Sequence, residues 1–408
     1  MIMKNNLRKL RTPELPLGFR AAGIASGIKA AGKPDMALIY SDREATAVGA
    51  FTTNRVAAAP VRLSKKILAD GSCRAVIVNS GSANACTGKR GAADAERMCT
   101  LTAAGLGLDP ESVAVCSTGR IGKGLPMEKV EAGITSLAEI IADGGNGSAA
   151  EAIMTTDTYP KEVAVELEIE GRVCRLWGIA KGAGMIYPRM SVAGLPHATM
   201  LAFLATDLGV GVDLLRGALS RSVVQSFNRV TVDGDTSTND TVILMANGES
   251  KAVIEPGSDS IGVFEDALNH VTGELARMIA SDGEGATKLI RIEVRSAQTG
   301  DDARKAAAAV ANSLLFKCAL YGATPNWGRL LAALGYSGAA IEEKLIRVSL
   351  YGIEIVKDGL FSEVPDDSIA AKLKSRELNF VIELGLGKAS DFYYTCDISP
   401  EYVAINKE

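Results

Sequence analysis

The chain has 408 residues, of which 47% are hydrophobic and 23% charged, and its formal net charge is −4. This length exceeds one ordinary hydrophobic core and predicts two or three domains. Lys and Arg form no basic cluster, which argues against a nucleic-acid partner because phosphate binding depends on such clusters. No stretch approaches about 18 uncharged apolar residues and the N-terminus lacks the apolar core of a signal peptide, so we expect no membrane span and a cytoplasmic location.

Strand and helix patterns alternate along the chain. Short apolar runs and period-two alternation predict strands, whereas apolar residues at helical spacing that stop at glycine predict helices. The predicted single strands are 35–42, 46–54, 73–81, 111–116 and 288–297. A hairpin with a Glu170–Gly171 turn is predicted over 161–182, and a strand, a polar loop and a second strand are predicted over 226–248. The predicted helices are 92–107, 127–145, 261–285, 301–322 and 325–335. This mixture predicts an α/β or layered α+β fold, with an α+β unit of its own from about residue 289.

Cysteine and histidine usage limits the chemistry that the chain can support. The seven cysteines form no CxxC pair, which favours thiols in a reducing compartment; they are Cys73, Cys86, Cys99, Cys116, Cys174, Cys318 and Cys396. The two histidines, His197 and His270, cannot build a histidine-rich site, and HExxH is absent. We therefore expect neither a metal nor a resident cofactor.

Three loops rich in Ser and Thr stand next to glycine or an acidic residue: CSTGRIG, MTTDTYPK and DGDTSTND. Each alone is typical of a turn in which short hydroxyl side chains bond their own backbone. Thr199 lies between Ala198 and an apolar run, a position that by itself predicts the start of an apolar helix. The loops and this junction together indicate a functional site.

The ordered motifs identify a family resemblance that covers almost the whole chain. They are GFRAAGIASGIK, DMALIYSD, FTTNRVAAAPV, VNSGSANACTG, CSTGRIGKGLPM, IMTTDTYPK, KGAGM, ATMLAFLATD, FNRVTVDGDTSTNDT, SDGEGATK and PNWGRLLAALG. The chain resembles the ornithine acetyltransferase family of arginine biosynthesis, the glutamate N-acetyltransferases that form their own N-terminal threonine. The resemblance implies two sheets sandwiched between helix layers, a DmpA-like arrangement, with an additional C-terminal α/β domain at about 289–408.

The same resemblance implies self-cleavage between Ala198 and Thr199 into fragments 1–198 and 199–408. Thr199 would be the nucleophile, and the α-amino group that cleavage exposes would be its base, since such amines titrate near pH ~8. Thr118 and Gly119 match the oxyanion hole, which supplies a hydroxyl and a backbone N–H to the developing alkoxide. Two fragments of each kind would assemble into a heterotetramer.

Substrate contacts are implied residue by residue. Thr155 matches a substrate-contacting hydroxyl in preference to its neighbour, Lys181 would pair with a substrate carboxylate, Glu284 would pair with the distal ammonium of N2-acetylornithine, and Asn406 matches a C-terminal contact. The acetyl group would pass from N2-acetylornithine to Thr199 and then to glutamate. Acetyl-CoA is a possible alternative donor, and the sequence offers no clear site for it.

Two departures from the family pattern leave alternatives open. Seven residues, SVAGLPH at 191–197, stand between Met190 and Ala198, and the chain ends at NKE where the family continues to a terminal Ser or Thr. Self-cleavage depends on a well-positioned peptide, so a longer approach can slow it. An N-terminal-threonine amidase or aminopeptidase of the same fold, and an unprocessed scaffold or regulator, are the alternative interpretations.

Overall fold

The computed structural model describes residues 7–52, 54–145, 148–188, 190–191 and 200–407. The chain forms two compact units, one of residues 1–228 and 236–275 and the other of residues 229–235 and 276–408. Each unit combines helices with its own β-sheet, and a two-stranded sheet is also present. The predicted mixed α/β class is therefore confirmed.

The first unit contains eleven of the described strands and the first six of the described helices. The strands are β1 (Leu7–Lys9), β2 (Phe19–Ile24), β3 (Met36–Phe51), β4 (Ser72–Ser82), β5 (Val113–Arg120), β6 (Lys161–Ile169), β7 (Arg172–Lys181), β8 (Leu201–Thr206), β9 (Gly209–Val210), β10 (Thr241–Ala246) and β11 (Val253–Ile254). The helices are α1 (Ala59–Ile67), α2 (Gly88–Leu106), α3 (Met127–Ala142), α4 (Ala149–Ala152), α5 (Val212–Gln225) and α6 (Ser260–Ser281), and α6 continues into the second unit.

Strand β3 joins the two halves of a nine-stranded sheet in the first unit. The order is β1-β6-β7-β8-β10-β3-β4-β5, and β2 also pairs with β3. The first half of β3 pairs with β2 and β4, and its second half pairs with β10, with a register irregularity between Tyr40 and Ala45. The sequence predicted two separate strands here, and this prediction was wrong because the polar residues 41–44 remain in extended backbone.

Alternate residues of the strands supply two apolar clusters because side chains along a strand point to opposite faces. On one face, Met36, Leu38 and Ile77 pack with helices α2 and α3 through Met98 and Leu137. This cluster covers one side of β2–β5 and forms a helix-on-sheet layer.

The second cluster contains residues from both halves of the sheet. Val76 and Val78 of β4 share it with Trp177, Phe203 and Met245, which come from β7, β8 and β10. Apolar side chains from both halves therefore meet in one core, in keeping with the sandwich that the family resemblance implies.

The outer face of the second half of the sheet is covered by α6. Val271 and Leu275 of that helix approach Gly178 of β7, and all three lie in the first unit. The hairpin that brings β7 back beside β6 turns at Glu170 and Gly171, both with positive φ, as the Glu-Gly sequence predicts.

The apolar run after Met200 is strand β8 and not a helix. It lies between β7, its antiparallel neighbour, and β10, its parallel neighbour, and every residue of the strand is buried. A strand that is buried on both faces has a continuous run of apolar residues. A short buried helix has the same pattern, so the sequence does not distinguish the two.

The second unit contains a six-stranded sheet with helices from the C-terminal third of the chain. Its strands are β12 (Leu289–Ala297), β13 (Arg347–Leu350), β14 (Ile353–Lys357), β15 (Leu360–Phe361), β16 (Glu377–Glu383) and β17 (Ala389–Cys396), in the order β15-β14-β13-β16-β12-β17. Its further helices are α7 (Gly300–Asn312), α8 (Leu314–Tyr321), α9 (Trp327–Gly335), α10 (Asp366–Leu373) and α11 (Pro400–Ile405).

Two element predictions in this part of the chain are wrong. The helix predicted over 301–322 is broken at Ser313, whose extended backbone ends α7 and whose hydroxyl accepts from the Phe316 N–H to cap α8. The strand predicted at the start of 226–248 is instead a 3₁₀ turn at Phe227–Arg229, followed by a single bridge between Val230 and Tyr394. Within the part of the chain that the structure describes, no helix is long and apolar enough to cross a membrane.

Truncation of Leu137 to Ala should destabilise the first unit. The side chain is fully buried between α3 and the sheet, so we expect Leu137→Ala to lower the free energy of unfolding by about 2–5 kcal/mol. Glu139→Ala, on the exposed face of the same helix, should change it by less than about 0.5 kcal/mol. Urea denaturation followed by circular dichroism measures both values, and equal effects would contradict the assigned helix–sheet core.

Candidate functional site

Lys181, the last residue of β7, connects two of the hydroxyl-rich loops. Its ammonium Nζ donates to the Thr155 hydroxyl at 2.8 Å and lies 3.4 Å from the Thr118 hydroxyl as a longer donor contact. Lys181 and Thr118 are both 3% exposed, and Thr155 is half-buried. The structure thus brings together three residues that the sequence placed in one site.

Asp157 supplies the negative charge that this buried lysine requires. Its carboxylate lies 2.7 Å from the Lys161 ammonium and 4.0 Å from the Lys181 ammonium, and its Oδ1 accepts from the Gly182 N–H at 2.6 Å. Burial alone would raise the pKa of Asp157, but Lys181, Lys161 and the Gly182 N–H together hold it well below its usual range. Two cations beside one carboxylate leave the cluster with positive charge.

Sequence reasoning missed Asp157 and Lys161 as parts of this site. Both lie in the motif MTTDTYPK, from which only Thr155 was selected. Their side chains are fully buried, which is rare for an isolated carboxylate or ammonium and common for a paired one. Their spacing of four residues in a non-helical loop gave no separate signal that they pair.

Gly119 lies at the point where the ladder between β4 and β5 becomes irregular. The two strands run parallel up to the Gly81–Gly119 pair, and the register shifts immediately after it. Gly119 has a φ of 126°, and a Cβ there would lie 2.5 Å from the carbonyl carbon of Gly81. Only glycine fits this close approach, and such an irregularity re-aims backbone groups away from the regular ladder.

Asn239, in the third hydroxyl-rich loop, holds the ends of β4 and β5 in place. Its side-chain amide donates to the carbonyl of Ala83 at 2.6 Å and to the carbonyl of Ser117 at 2.8 Å. The Ser117 hydroxyl in turn donates to Asn79 at 2.6 Å. This buried network fixes Ser117, the residue immediately before Thr118.

The predicted cleavage residues Ala198 and Thr199, and the neighbouring His197, lie outside the described residues, as does most of the insertion at 191–197. The two flanks of this segment are well anchored. The Phe51 N–H donates to the carbonyl of Ser191 at 3.3 Å, and the Thr241 N–H donates to the carbonyl of Met200 at 3.0 Å. Since Phe51 and Thr241 are register partners, neighbouring strands hold both flanks.

Glu284 and Asn406 meet in the second unit. The Asn406 amide donates to the Glu284 carboxylate at 2.6 Å and to the carbonyl of Tyr402 at 2.9 Å. Glu284 is 8% exposed in the turn after α6, whereas Asn406 is exposed at the end of α11. Burial and the nearby carboxylates of Asp233 and Glu284 raise the pKa of Tyr402, so this part of the unit attracts cations.

Among the described residues, the cysteines form no disulfide and the potential metal ligands form no metal site. All seven cysteines are free thiols. In the described ranges, no group of three or more His, Cys, Asp and Glu side chains could hold a metal ion. The polar groups that the described site residues present are hydroxyls, ammonium groups, carboxylates and backbone N–H groups.

Comparison with known proteins identifies the family. The sequence model of the ArgJ family matches residues 20–408. The chain belongs to the ArgJ family.

Two relatives match over nearly their full length. The chain is 46% identical to the arginine biosynthesis bifunctional protein ArgJ of Symbiobacterium thermophilum, with 96% of each chain covered. It is 43% identical to the glutamate N-acetyltransferase of Methanocaldococcus jannaschii, covering 96% of this chain and 97% of the relative. A crystal structure of the bifunctional protein ArgJ of Bacillus halodurans is similar at 37% identity and a TM-score of 0.50, over 51% of this chain and 99% of that one.

Asp157→Asn should destabilise the first unit in a pH-dependent manner. Removing this carboxylate leaves the Lys161 ammonium buried without its counter-charge, which typically costs about 3–5 kcal/mol at pH 7. Because the pKa of Asp157 is depressed in the folded state, its stabilisation is present above the unfolded pKa near ~4 and is lost as the pH falls through the folded value. Urea denaturation at pH 7 and pH 3 should show a smaller difference between the proteins at the lower pH.

The exposed Asp70 provides the matched control, since Asp70→Asn removes the same charge without a buried partner. We expect little change in stability at either pH. A loss for Asp157→Asn that is the same at pH 3 as at pH 7 would contradict the depressed pKa.

Proposed function

We propose that the chain transfers the acetyl group of N2-acetylornithine to glutamate through an acetyl ester on Thr199, after cleaving its own Ala198–Thr199 bond. Two of the relatives named above, an arginine biosynthesis bifunctional protein ArgJ and a glutamate N-acetyltransferase, each match 96% of this chain. The family and its reaction class are therefore those of an acyltransferase in arginine biosynthesis, and the residue roles below are our assignments.

The pairing of β7 with β8 is the main support for the proposed site. Lys181, which contacts the hydroxyls of Thr118 and Thr155, is the register partner of Leu201 on β8. Leu201 follows Thr199 by two residues in the sequence. This register supports our assignment of Thr199 to the same site as Lys181, Thr118 and Thr155.

The first half-reaction forms the acetyl-enzyme. The Thr199 hydroxyl oxygen attacks the acetyl carbonyl carbon while the α-amino group of the same residue takes the hydroxyl proton. The Thr118 hydroxyl and the Gly119 N–H stabilise the resulting oxyanion, and the carbon–nitrogen bond breaks as the α-amino group returns the proton to the nitrogen of departing ornithine.

The second half-reaction runs the same steps in reverse with a new amine. The α-amino nitrogen of glutamate attacks the ester carbonyl, the Thr199 amine accepts the proton released, and N-acetylglutamate leaves as the Thr199 hydroxyl reforms. Exclusion of water from the ester determines whether transfer or hydrolysis follows. Acetyl-CoA would enter at the first half-reaction as an alternative donor, with a thiol as the leaving group.

Substrate recognition divides between the two ends of the amino acid. Lys181 pairs with the α-carboxylate, and the Thr155 hydroxyl, which already binds Lys181, adds a polar contact. Glu284 pairs with the distal ammonium of ornithine, and Asn406 orients the Glu284 carboxylate.

We further propose that two fragments of each kind assemble into a heterotetramer. We also propose that the protein works in a reducing compartment, in keeping with its free cysteines.

Cleavage is also consistent with the size of the matched crystal chain, which corresponds to about half of this chain. We expect denaturing mass spectrometry of the purified protein to yield two fragments, the second beginning at Thr199. Thr199→Ala should remain a single chain, because cleavage would use the same hydroxyl. A Thr199→Ala protein that still divides at this bond would refute the mechanism.

The cleaved protein should then move acetyl from N2-acetylornithine to glutamate, and omission of glutamate should trap acetyl on the second fragment. Acetate formation that glutamate does not suppress would instead identify an amidase. A single uncut and inactive chain would identify an unprocessed relative.

Replacement of Thr118 tests the oxyanion-binding role. We expect Thr118→Val to lower kcat about 10²- to 10³-fold, with a much smaller change in KM, because the lost donor acts in the transition state. Rates are normalised to the cleaved fraction, since the same donor would assist self-cleavage. Thr156→Val removes an exposed hydroxyl beside the site and should keep near-native kinetics; equal losses in the two variants would contradict the assignment.

A further inference from the structure

A third lysine, Lys29, approaches the site from the loop between β2 and β3. The buried carboxylate of Asp35 organises this loop by accepting from the Ser26 N–H at 2.7 Å, the Gly27 N–H at 3.0 Å and the Lys29 N–H at 2.9 Å. The Ser26 hydroxyl donates to the same carboxylate at 2.8 Å. The backbone that carries Lys29 is therefore fixed before any substrate binds.

The Lys29 ammonium bridges two segments of the first unit. Its Nζ donates to the carbonyl of Pro34 at 2.7 Å and to the carbonyl of Met154 at 2.6 Å. Met154 directly precedes Thr155, whose hydroxyl accepts from Lys181. A short chain of hydrogen bonds and one peptide unit thus connects Lys29 to the proposed carboxylate-binding lysine.

We propose that Lys29 is a positioning residue of the substrate site: it fixes the Met154–Thr155 segment that orients Lys181, and its charge adds to the attraction for the α-carboxylate that both substrates share. This inference rests on the proposed function. It names a determinant of substrate affinity that none of the sequence motifs indicated.

The charge balance of the region supports this role. Asp157 pairs with Lys161 and lies near Lys181, and Asp35 is the carboxylate with the larger effect on the Lys29 ammonium. An ammonium has three N–H donors, and within the described residues Lys29 uses two of them. A half-buried cation with a remaining donor is suited to a carboxylate ligand.

The protonation state of Lys29 makes the proposal measurable. Burial lowers the pKa of the Lys29 ammonium to about 8. The positive charges of Lys181 and Lys33 lower this pKa further, whereas the carboxylates of Asp35 and Asp157 raise it. A bound carboxylate favours the charged form, so affinity should be highest below pH 8 and fall as the pH rises through that value. An ordinary α-amino group has a pKa near ~8 as well, but deprotonation of the amine proposed at Thr199 would raise kcat and not KM.

Steady-state kinetics of the self-cleaved enzyme with N2-acetylornithine and glutamate test the proposal. Lys29→Met should raise KM for both substrates about tenfold, as expected for the loss of one charge-assisted contact, with kcat within about threefold. Lys29→Arg keeps the charge and donors and should recover most of the native KM. Lys33→Met, which removes an exposed lysine from the same loop, is the matched control and should resemble the native enzyme.

The pH profile separates a positioning charge from a purely structural contact. The native KM should rise above pH 8, whereas KM of Lys29→Arg should stay level to pH 9 because a guanidinium does not titrate there. This comparison holds even if Lys29→Met does not fold. Identical profiles for the native and Lys29→Arg enzymes, or a native KM in a folded Lys29→Met, would overturn the inference.

Failure of the proposed function gives a different result. A native enzyme that transfers no acetyl group overturns the function and this inference together. A native enzyme that transfers acetyl normally, beside a Lys29→Met protein whose kcat falls without a change in KM, overturns only the role of Lys29.

Discussion

The buried pairing of Lys181 with Asp157 is the constraint on which the proposed site depends. An ammonium at 3% exposure is tolerated only where charge and hydrogen bonds replace water, and Asp157 supplies the charge while the Thr155 hydroxyl supplies the bond. The hairpin of β6 and β7 places Lys161 and Lys181 at the same end, where one carboxylate serves both. The geometry of the site therefore follows from the register of this hairpin.

Most elements of the fold follow from local sequence signals. The Glu-Gly turn, the apolar strand β4 and the amphipathic helix α3 are all where periodicity and turn residues predict them. The errors arise where a local capping residue ends a helix or where tertiary contacts outweigh local preference. Ser313 breaks a helix that its neighbours favour because its hydroxyl caps α8, and β8 is a strand because two neighbouring strands supply its hydrogen bonds.

Part of the candidate site was predictable from short sequence motifs. The rest was not, because it depends on contacts between residues that are distant in sequence. Thr118, Gly119, Thr155 and Lys181 stand in short motifs that mark them one by one, and the structure brings the three with side-chain contacts together. Asp157 and Lys29 also stand in quoted motifs, but the motifs do not indicate their proximity to Lys181 and to Met154, which are distant from them in sequence. Lys29 reaches Met154 across 125 positions of the chain, a contact that no local pattern encodes.

The substrates of the two half-reactions share one charged group and differ in the other. Ornithine and glutamate share an α-carboxylate, so a cation held by Asp157 serves both halves of the reaction equally. Their distal groups have opposite charge, and a carboxylate such as Glu284 favours ornithine while opposing glutamate. The two N–H groups of the Asn406 amide donate to Glu284 and to the Tyr402 carbonyl, which leaves its carbonyl oxygen as an acceptor suited to the distal ammonium of ornithine. We therefore propose that the lysines contribute to the affinity for amino acids in general, and that the Glu284–Asn406 pair contributes to the balance between donor and acceptor.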